Sequence, residues 1–434
     1  MSKMSKIKVG IIGIGNCAKS LVEGIQYYKA NPEDKVGLMY DTIGGYTVNE
    51  IEFVVGFDVD RRKVNKPLVD ALRAAPNCAM DHVEEILENG SNTAGCIKKG
   101  AMVYSGPELD GVAPHMLDYP EEVSFRTGAE AAKSFDDIVN IVKDTEVDVL
   151  INYAPVGSEK LSKFYIDVAL KAGVHFVNCI PTVISTKDTK RIEQKFIDAG
   201  LTIVGSDMRS AWGASRMSEV LQGAMIDSGL MVTQHIQMNM AAGSTQGQEN
   251  IRTGRTANTD FLNMAKVERL HNKHISKENV LKGQNVVRDE PMAGATLYAG
   301  PSLTVQQKPG GKYVASDQKI ANFDIVAYGF GGARYELTAR LAVQDSPNSG
   351  GVVVSAIRFC KVAAEMGIVG YIRGPSAWTQ KTPPLQLKTD EAKYECDMLA
   401  NRQYTDITEE QRKENNPKAS RLTYTYQAEE TDYA

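Results

Sequence analysis

The chain has 434 residues with 49 Lys and Arg against 54 Asp and Glu, a net charge of −5 and a pI near 5.8. It carries no long basic block, which argues against a nucleic-acid or membrane-surface partner, and no apolar run approaching the roughly 18 residues of a membrane span. Six cysteines (Cys17, Cys78, Cys96, Cys179, Cys360 and Cys396) stand without a CxxC pair, so neither a disulfide framework nor a thiolate zinc site is indicated. The segment Met1 to Lys8 is polar and unlike a signal peptide, which makes the cytoplasm the expected location.

In chain order, Lys8 to Ile12 reads as a short buried strand. The glycines that follow lead into a helix with Ala18, Leu21, Val22 and Ile25 on one face. Glu52 to Phe57 predicts a second strand ending at Asp58, and Val147 to Tyr153, His175 to Ile180 and Leu201 to Val204 predict three more. Ser158 to Ala172 predicts a helix that stops at Gly173. Strands separated by helices imply a Rossmann-like, doubly wound parallel sheet of the α/β class. After about residue 230 the period changes to two. Val232, Ile236, Met238 and Met240 alternate with Thr233, His235, Gln237 and Asn239, which predicts a sheet with one wet or ligand-facing side, and Tyr335 to Val343 repeats the period. A helix is expected from Asp260 and a turn at Pro309 to Lys312, and Gly350 to Met366 reads as an apolar-faced helix. The expected division is 1–205 for a dinucleotide-binding domain, 206–344 for an inserted β-rich catalytic and oligomerisation domain, 345–386 for the return, and 387–434 for a charged tail. That tail is either an arm packed on the body or a partner, or a disordered extension.

Between the first strand and its helix, Gly13 permits a tight turn and Gly15 lets the backbone approach a pyrophosphate, which then rests on the helix N-terminus with Asn16, Cys17 and Ala18 beside it. Ala18 takes the third glycine's place. Asp58 is the candidate acceptor for a ribose 2′-hydroxyl and favours NAD over NADP. Its distance from the glycines is about twice the usual ~20 residues, so Tyr27 to Asn49 must be an excursion. Lys273 and Lys277, four apart, read on spacing alone as a solvated helix surface, with Ser276 an alternative cap for a helix starting at Lys277. His271 and His274 read as surface residues. Asp207 and Asp345 end strands, positions from which carboxylates converge on a ligand or cation, or serve only as turn and cap residues.

Several separate blocks now stand in order: Gly10 to Ala18, Phe57-Asp58-Val59-Asp60, Asn152 to Glu159, Asn258 to Met264, Lys273 with Lys277, Asp345-Ser346-Pro347-Asn348-Ser349 and Lys381-Thr382-Pro383-Pro384. With them the chain resembles the myo-inositol-1-phosphate synthases, in their shorter prokaryotic form, from Val9 to about Leu387. The resemblance implies NAD-dependent cyclisation of glucose 6-phosphate to inositol 3-phosphate (also numbered 1-phosphate) by oxidation at carbon 5, enolisation, aldol closure and re-reduction, in a homotetramer. By motif position it implies that Lys273 exchanges the carbon 5 hydroxyl proton, that Lys277 contacts the phosphate and carbon 5, and that Lys381 partners the carbon 1 oxygen. Asp260, Asp207 and Asp345 orient the lysines, or Asp207, Asp345 and Ser346 hold a divalent or monovalent cation beside the nicotinamide. Asp345 and Ser346 also fall at the cofactor, and Ser210, Gly213 and Ser215 match the phosphate turn. Three departures stand out: a polar insertion from Ala241 to Ala257, the lack of a family lysine near Phe323 to Tyr328, and the tail. Neither Lys312 nor Lys319 can be assigned as the missing lysine from sequence. A simple NAD-dependent sugar-phosphate dehydrogenase and a non-catalytic dinucleotide-binding homologue are the alternative readings.

Overall fold

Both faces of the first sheet are covered, and its strands are accordingly apolar almost throughout. β1 (Ile7–Ile12), β2 (Ile51–Asp58), β3 (Val103–Ser105), β4 (Val149–Asn152), β5 (His175–Asn178), β6 (Thr202–Val204) and β13 (Gly370–Tyr371) lie in the order β13-β6-β5-β4-β1-β2-β3. Every pairing is parallel. The structure, a computed structural model, describes residues 4–90, 93–121, 124–128, 131–181, 189–205, 207–241, 256–257, 274–281, 296–302, 314–315 and 317–404. The chain runs outward from β1 to β3 and then restarts on the other side of β1 at β4. That reversal leaves a crevice beyond the carboxyl ends of β1 and β4, where the ligand of such a sheet binds.

The helices, in chain order, are α1 (Asn16–Ala30), the short α2 (Leu68–Ala71), α3 (Phe135–Asp144), α4 (Glu159–Ala172), α5 (Thr189–Asp198), α6 (Ala214–Asp227), α7 (described over 274–281), α8 (Asp345–Glu365), α9 (Arg373–Thr379) and α10 (Thr389–Ala400). On one face of the sheet Val9, Ile11, Phe53 and Ile151 pack with Leu21 and Val22 of α1 and Val353 and Ile357 of α8. On the other, Val54, Phe57 and Leu150 pack with Ile138 of α3 and Leu161 and Tyr165 of α4. The contact between α1 and α8 is close because α8 carries Gly350, where a Cβ would lie 3.5 Å from the Leu21 Cα. The excursion before β2 buries Ile43, Tyr46 and Val48 in the first of these cores. Past Leu387 the chain is not a free arm at first. α10 buries Cys396 and Leu399 in the same core, and Tyr404 follows them. No helix among the described residues is long and apolar enough to cross a membrane.

α8 starts at Asp345, five residues before the expected Gly350, with Pro347 in its first turn where a missing N–H costs nothing. Its cap is non-local. The Asp317 carboxylate accepts from Ser346 N at 3.0 Å and from Ser346 Oγ at 2.5 Å.

The second sheet runs β12 (Arg334–Gln344), β11 (Gln318–Tyr328), β7 (Met231–Ala241), β9 (Thr296–Ser302), and β8 (Thr256–Ala257) pairs separately with β10 (Val314–Ala315). β11 is antiparallel to both neighbours, whereas β7 and β9 are parallel. Of the wet or ligand-facing side that alternation predicts for the polar stripe of β7, burial rules out open water. His235, Gln237 and Asn239 are 0–1 % exposed, while Met238 on the opposite face is 41 % exposed. The reason is α6, which presents polar groups to this stripe. His235 Nε2 lies 3.0 Å from Ser218 Oγ and Nδ1 lies 2.8 Å from Gln222 Oε1. Ser218 also donates to Gln237. Burial pulls the His235 pKa down to about 4.

Candidate active site

The turn from β1 into α1 is held from every side. Gly13 has φ +84, and a Cβ there would stand 2.7 Å from the Tyr153 carbonyl oxygen, so only glycine fits. The peptide groups around Ile14 are clamped. Asp58 Oδ2 accepts from Ile14 N at 2.7 Å, and the Ile14 carbonyl receives Lys63 Nζ at 2.7 Å and Asn77 Nδ2 at 3.0 Å. Lys63 is fully buried. Burial lowers its pKa, and Asp58 and Asp60 oppose that shift. Asp58 Oδ1 accepts from Val59 N and Asp60 N at 2.8 Å each, which with Ile14 uses three acceptor positions and leaves about one of four for a ribose hydroxyl. Asn16 Oδ1 accepts from Cys78 N at 2.6 Å and Ala79 N at 3.0 Å, tying that loop to the helix start. Ala18 is wholly buried in the core, where the third position of such a turn sets the approach of helix to strand.

α1 begins at Gly15 with no capping side chain and no acidic residue in its first turn. Its exposed N–H groups face a cleft of about 540 Å³ lined by Gly13, Gly15, Asp58, Lys63 and Tyr153, and this runs into a second of about 1000 Å³ lined by Asn16, Cys17, Asp207, Lys319, Ser346 and Lys381. The two share Gly15, Phe125, Tyr153, Ala154 and Pro155.

At the far end of the second cleft is another uncapped helix. α6 starts at Gly213, without a capping side chain or an acidic residue in its first turn, and a Cβ on Gly213 would meet the Ser210 Cβ at 2.6 Å. Asn348 braces this turn, accepting from Trp212 N at 2.8 Å and donating to Trp212 O at 2.7 Å. Ser210, Gly213, Ala214 and Ser215 line one pocket with Lys277, Lys319 and Lys381. Three lysines, one carboxylate (Asp345) and a helix N-terminus line this pocket, an arrangement suited to an anion such as a phosphate monoester.

The lysines are themselves held by carboxylates. Lys381 Nζ lies 2.9 Å from Asp207 Oδ2 and donates to the Met208 carbonyl at 2.8 Å, with Asp207 1 % and Lys381 7 % exposed. Ser276, inside α7 rather than capping it, donates to the same Asp207 oxygen, and Asn279 of α7 donates to the Lys381 carbonyl at 2.8 Å. Lys277 is buried on that helix rather than solvated. Lys319 pairs with Asp345. Asp317, next to that pair, is pushed up to about 6 by burial first and by the Asp345 charge second. Cys17 Sγ lies 3.8 Å from Ser346 Oγ.

Of the residues expected at the site, the structure gathers Gly13, Gly15, Asn16, Cys17 and Asp58 at the first helix and Asp207, Ser210, Gly213, Ser215, Lys277, Asp345, Ser346 and Lys381 around the second. Lys273 and Asp260, with the expected helix from Asp260, His271 and the turn at Pro309 to Lys312, lie outside the described residues. His274 pairs with Glu278 at 2.7 Å on the rim of α7. Lys319 and Asp317 are the additions. Lys319 shares the inner face of β11 with Ala321 and Phe323, and the register opposite Val343 brings it to Asp345. In the sequence Lys319 stands only as one of two candidates, with Lys312, for the family lysine missing near Phe323 to Tyr328.

A parallel sheet with a glycine turn and an uncapped helix, opening onto a lysine pocket at a second uncapped helix, defines a dinucleotide-dependent enzyme for phosphorylated small molecules. A profile of the myo-inositol-1-phosphate synthase family matches residues 213–346, which hold the second helix and sheet. The chain is 36 % identical over 395 residues to the inositol-3-phosphate synthase of Corynebacterium glutamicum, spanning 90 % of this chain and 96 % of that one. It is 35 % identical to that of Mycolicibacterium smegmatis over 90 % and 97 % of the two chains. The chain belongs to the inositol-3-phosphate synthase family. Among solved structures, a myo-inositol-1-phosphate synthase-related protein from Thermotoga maritima superposes with a TM-score of 0.64 at 17 % identity, covering 92 % of this chain and all of the other. The inositol-3-phosphate synthase from Caenorhabditis elegans gives 0.56 at 12 % over 93 % and 87 %. At these identities the two structures attest to the shared fold alone.

Proposed function

We propose that the protein converts D-glucose 6-phosphate to 1D-myo-inositol 3-phosphate, an isomerisation with NAD as a resident cofactor. The observation that carries this reading is the convergence of Lys277, Lys319 and Lys381 on the uncapped start of α6, at the nicotinamide end of a dinucleotide cleft. The cleft fits the cofactor because Gly15, where a Cβ would meet no protein atom within 4 Å, leaves the α1 N-terminus open to a pyrophosphate, while Gly13 lets the turn pass against the Tyr153 backbone. When bound, NAD supplies reversible hydride acceptance, so carbon 5 can be oxidised and later reduced. The α6 turn with Lys277 and Lys319 holds the phosphate. Lys381, oriented by Asp207, faces the carbon 1 oxygen and offsets the charge that grows there during ring closure. Lys273 exchanges the carbon 5 hydroxyl proton and Asp260 orients the lysines, as the family resemblance implies.

The donors for the cation suggested by the resemblance do not fit as they stand. Asp207 and Asp345 each face a lysine ammonium, and no group of three His, Cys, Asp or Glu among the described residues forms a metal cluster. No step is therefore routed through a cation. A cytoplasmic homotetramer completes this reading, supported by the exposed Met231, Met238 and Tyr328 on the second sheet. Cell fractionation checks the compartment, and a monomer at micromolar concentration by light scattering would remove the tetramer.

Stoichiometry tests the activity. With added NAD and glucose 6-phosphate, phosphorus NMR is expected to show inositol phosphate forming without net NADH. Accumulating NADH would instead make the protein a simple dehydrogenase, and an unchanged substrate a non-catalytic homologue.

A further inference from the structure

The segment that carries Lys381 is clasped from two sides. Residues 207–209 run antiparallel to 379–381, with Lys381 N donating to Asp207 O at 2.8 Å and Arg209 N to Thr379 O at 2.7 Å. Arg209 Nε donates to the Gln380 carbonyl at 2.6 Å, and Arg216 Nη2 donates to the Trp378 carbonyl at 3.0 Å with its guanidinium 3.9 Å above the Trp378 ring. Both arginines converge on one acceptor: Glu219 Oε2 receives Arg209 Nη1 and Arg216 Nη1, each at 2.6 Å. Arg209, Arg216 and Glu219 are 1 %, 7 % and 2 % exposed. Burial pulls the Arg216 pKa down to about 10. For Glu219 burial pushes upward, but the Arg209 and Arg216 charges outweigh it and hold the carboxyl below its usual value. Arg216 and Glu219 sit on α6, the helix whose first turn forms the phosphate cradle, and Arg209 immediately precedes Ser210 of that turn.

We propose that Glu219 is a positioning residue which, through Arg209 and Arg216, locks the α6 phosphate cradle to the 378–381 segment and so sets where the Lys381 ammonium stands relative to a bound phosphate. The proposal rests on the roles given above to Lys381 and the cradle. Removing the carboxylate's charge leaves two buried guanidinium groups facing each other, and the segment they hold shifts to separate them. A displacement of about 1 Å at a reacting group typically costs about 100-fold in rate.

Glu219→Gln in the full-length protein is expected to lower kcat by about 10- to 100-fold, with KM for glucose 6-phosphate and calorimetric NAD affinity each within about threefold of wild type. In a Lys381→Ala background the same substitution should cost less than about twofold further, because the group it positions is gone. A merely structural role would lower the melting temperature and cost the same factor in both backgrounds. Wild-type kcat in Glu219→Gln, or full additivity with Lys381→Ala, overturns the proposal. If Glu219→Gln does not fold, Arg216→Lys keeps the charge while losing the second bond to Trp378, and about a tenfold loss with the same non-additivity is expected. Lys381→Ala by itself separates the two layers. Unimpaired turnover there refutes the role of Lys381, whereas impaired turnover beside a wild-type Glu219→Gln refutes only the coupling.

Discussion

Lys381→Ala is expected to reduce inositol phosphate formation by about 10²- to 10⁴-fold, a barrier increase of roughly 3 to 5 kcal/mol, while leaving NAD affinity near wild type. The ammonium it removes lies 2.9 Å from Asp207 in the second cleft. Of the glycine turn, Gly13 lines only the first cleft and Gly15 lies where the two meet. On the proposed role, in which Lys381 serves the carbon 1 oxygen after carbon 5 has been oxidised, the variant should still take the first hydride and show a transient of NADH absorbance. Part of the loss will be structural, since the buried Asp207 carboxylate then faces no ammonium from this side chain. Lys381→Arg separates the contributions. A guanidinium keeps the charge beside Asp207 but spreads it over a larger planar group, so stability should return while turnover, which depends on where the charge stands against the carbon 1 oxygen, should stay well below wild type. Near-normal product formation in Lys381→Ala at saturating substrate would end the assignment.

The second large effect falls on the cofactor and divides two neighbouring glycines. A Cβ at Gly13 would stand 2.7 Å from the Tyr153 carbonyl oxygen, at a φ of +84 that side chains disfavour. Gly13→Ala should therefore cost about 2 to 4 kcal/mol of stability and about 100-fold or more in NAD affinity. At Gly15 a Cβ meets no protein atom within 4 Å, and the backbone is extended at φ −95. Gly15→Ala should leave the melting transition unchanged and still weaken NAD by about tenfold or more, because its methyl projects only into the space where a pyrophosphate rests on α1. Thermal melting and calorimetry on both variants check the contrast. If Gly15→Ala binds NAD as the wild type does, the cleft at α1 is not the dinucleotide site.

The amino-acid sequence by itself determined the parts whose physics is local. The strand Lys8 to Ile12, the glycine turn and the helix with Leu21, Val22 and Ile25 are legible because a buried parallel strand, a positive φ and a helical stripe each leave their mark within a few residues. The turn from Ser210 to Ser215 and the blocks holding Lys277 and Lys381 stand in the sequence as contiguous family motifs, and the structure brings them to one pocket. Contacts across long chain separations were decided only by the tertiary structure. Lys319 reaches the pocket because β11 pairs in a register that sets it opposite Val343; a slip of one residue would turn it to the outer face. Asp317 caps α8 from a different element, so the helix begins five residues before its apolar periodicity does. The polar side of β7 reads as wet or ligand-facing by alternation, and it is buried because α6 supplies Ser218 and Gln222 as partners for His235. Alternation tells which residues share a face; what covers that face is set by an element elsewhere in the chain, and its hydrogen-bonding groups decide whether polar side chains can be buried there.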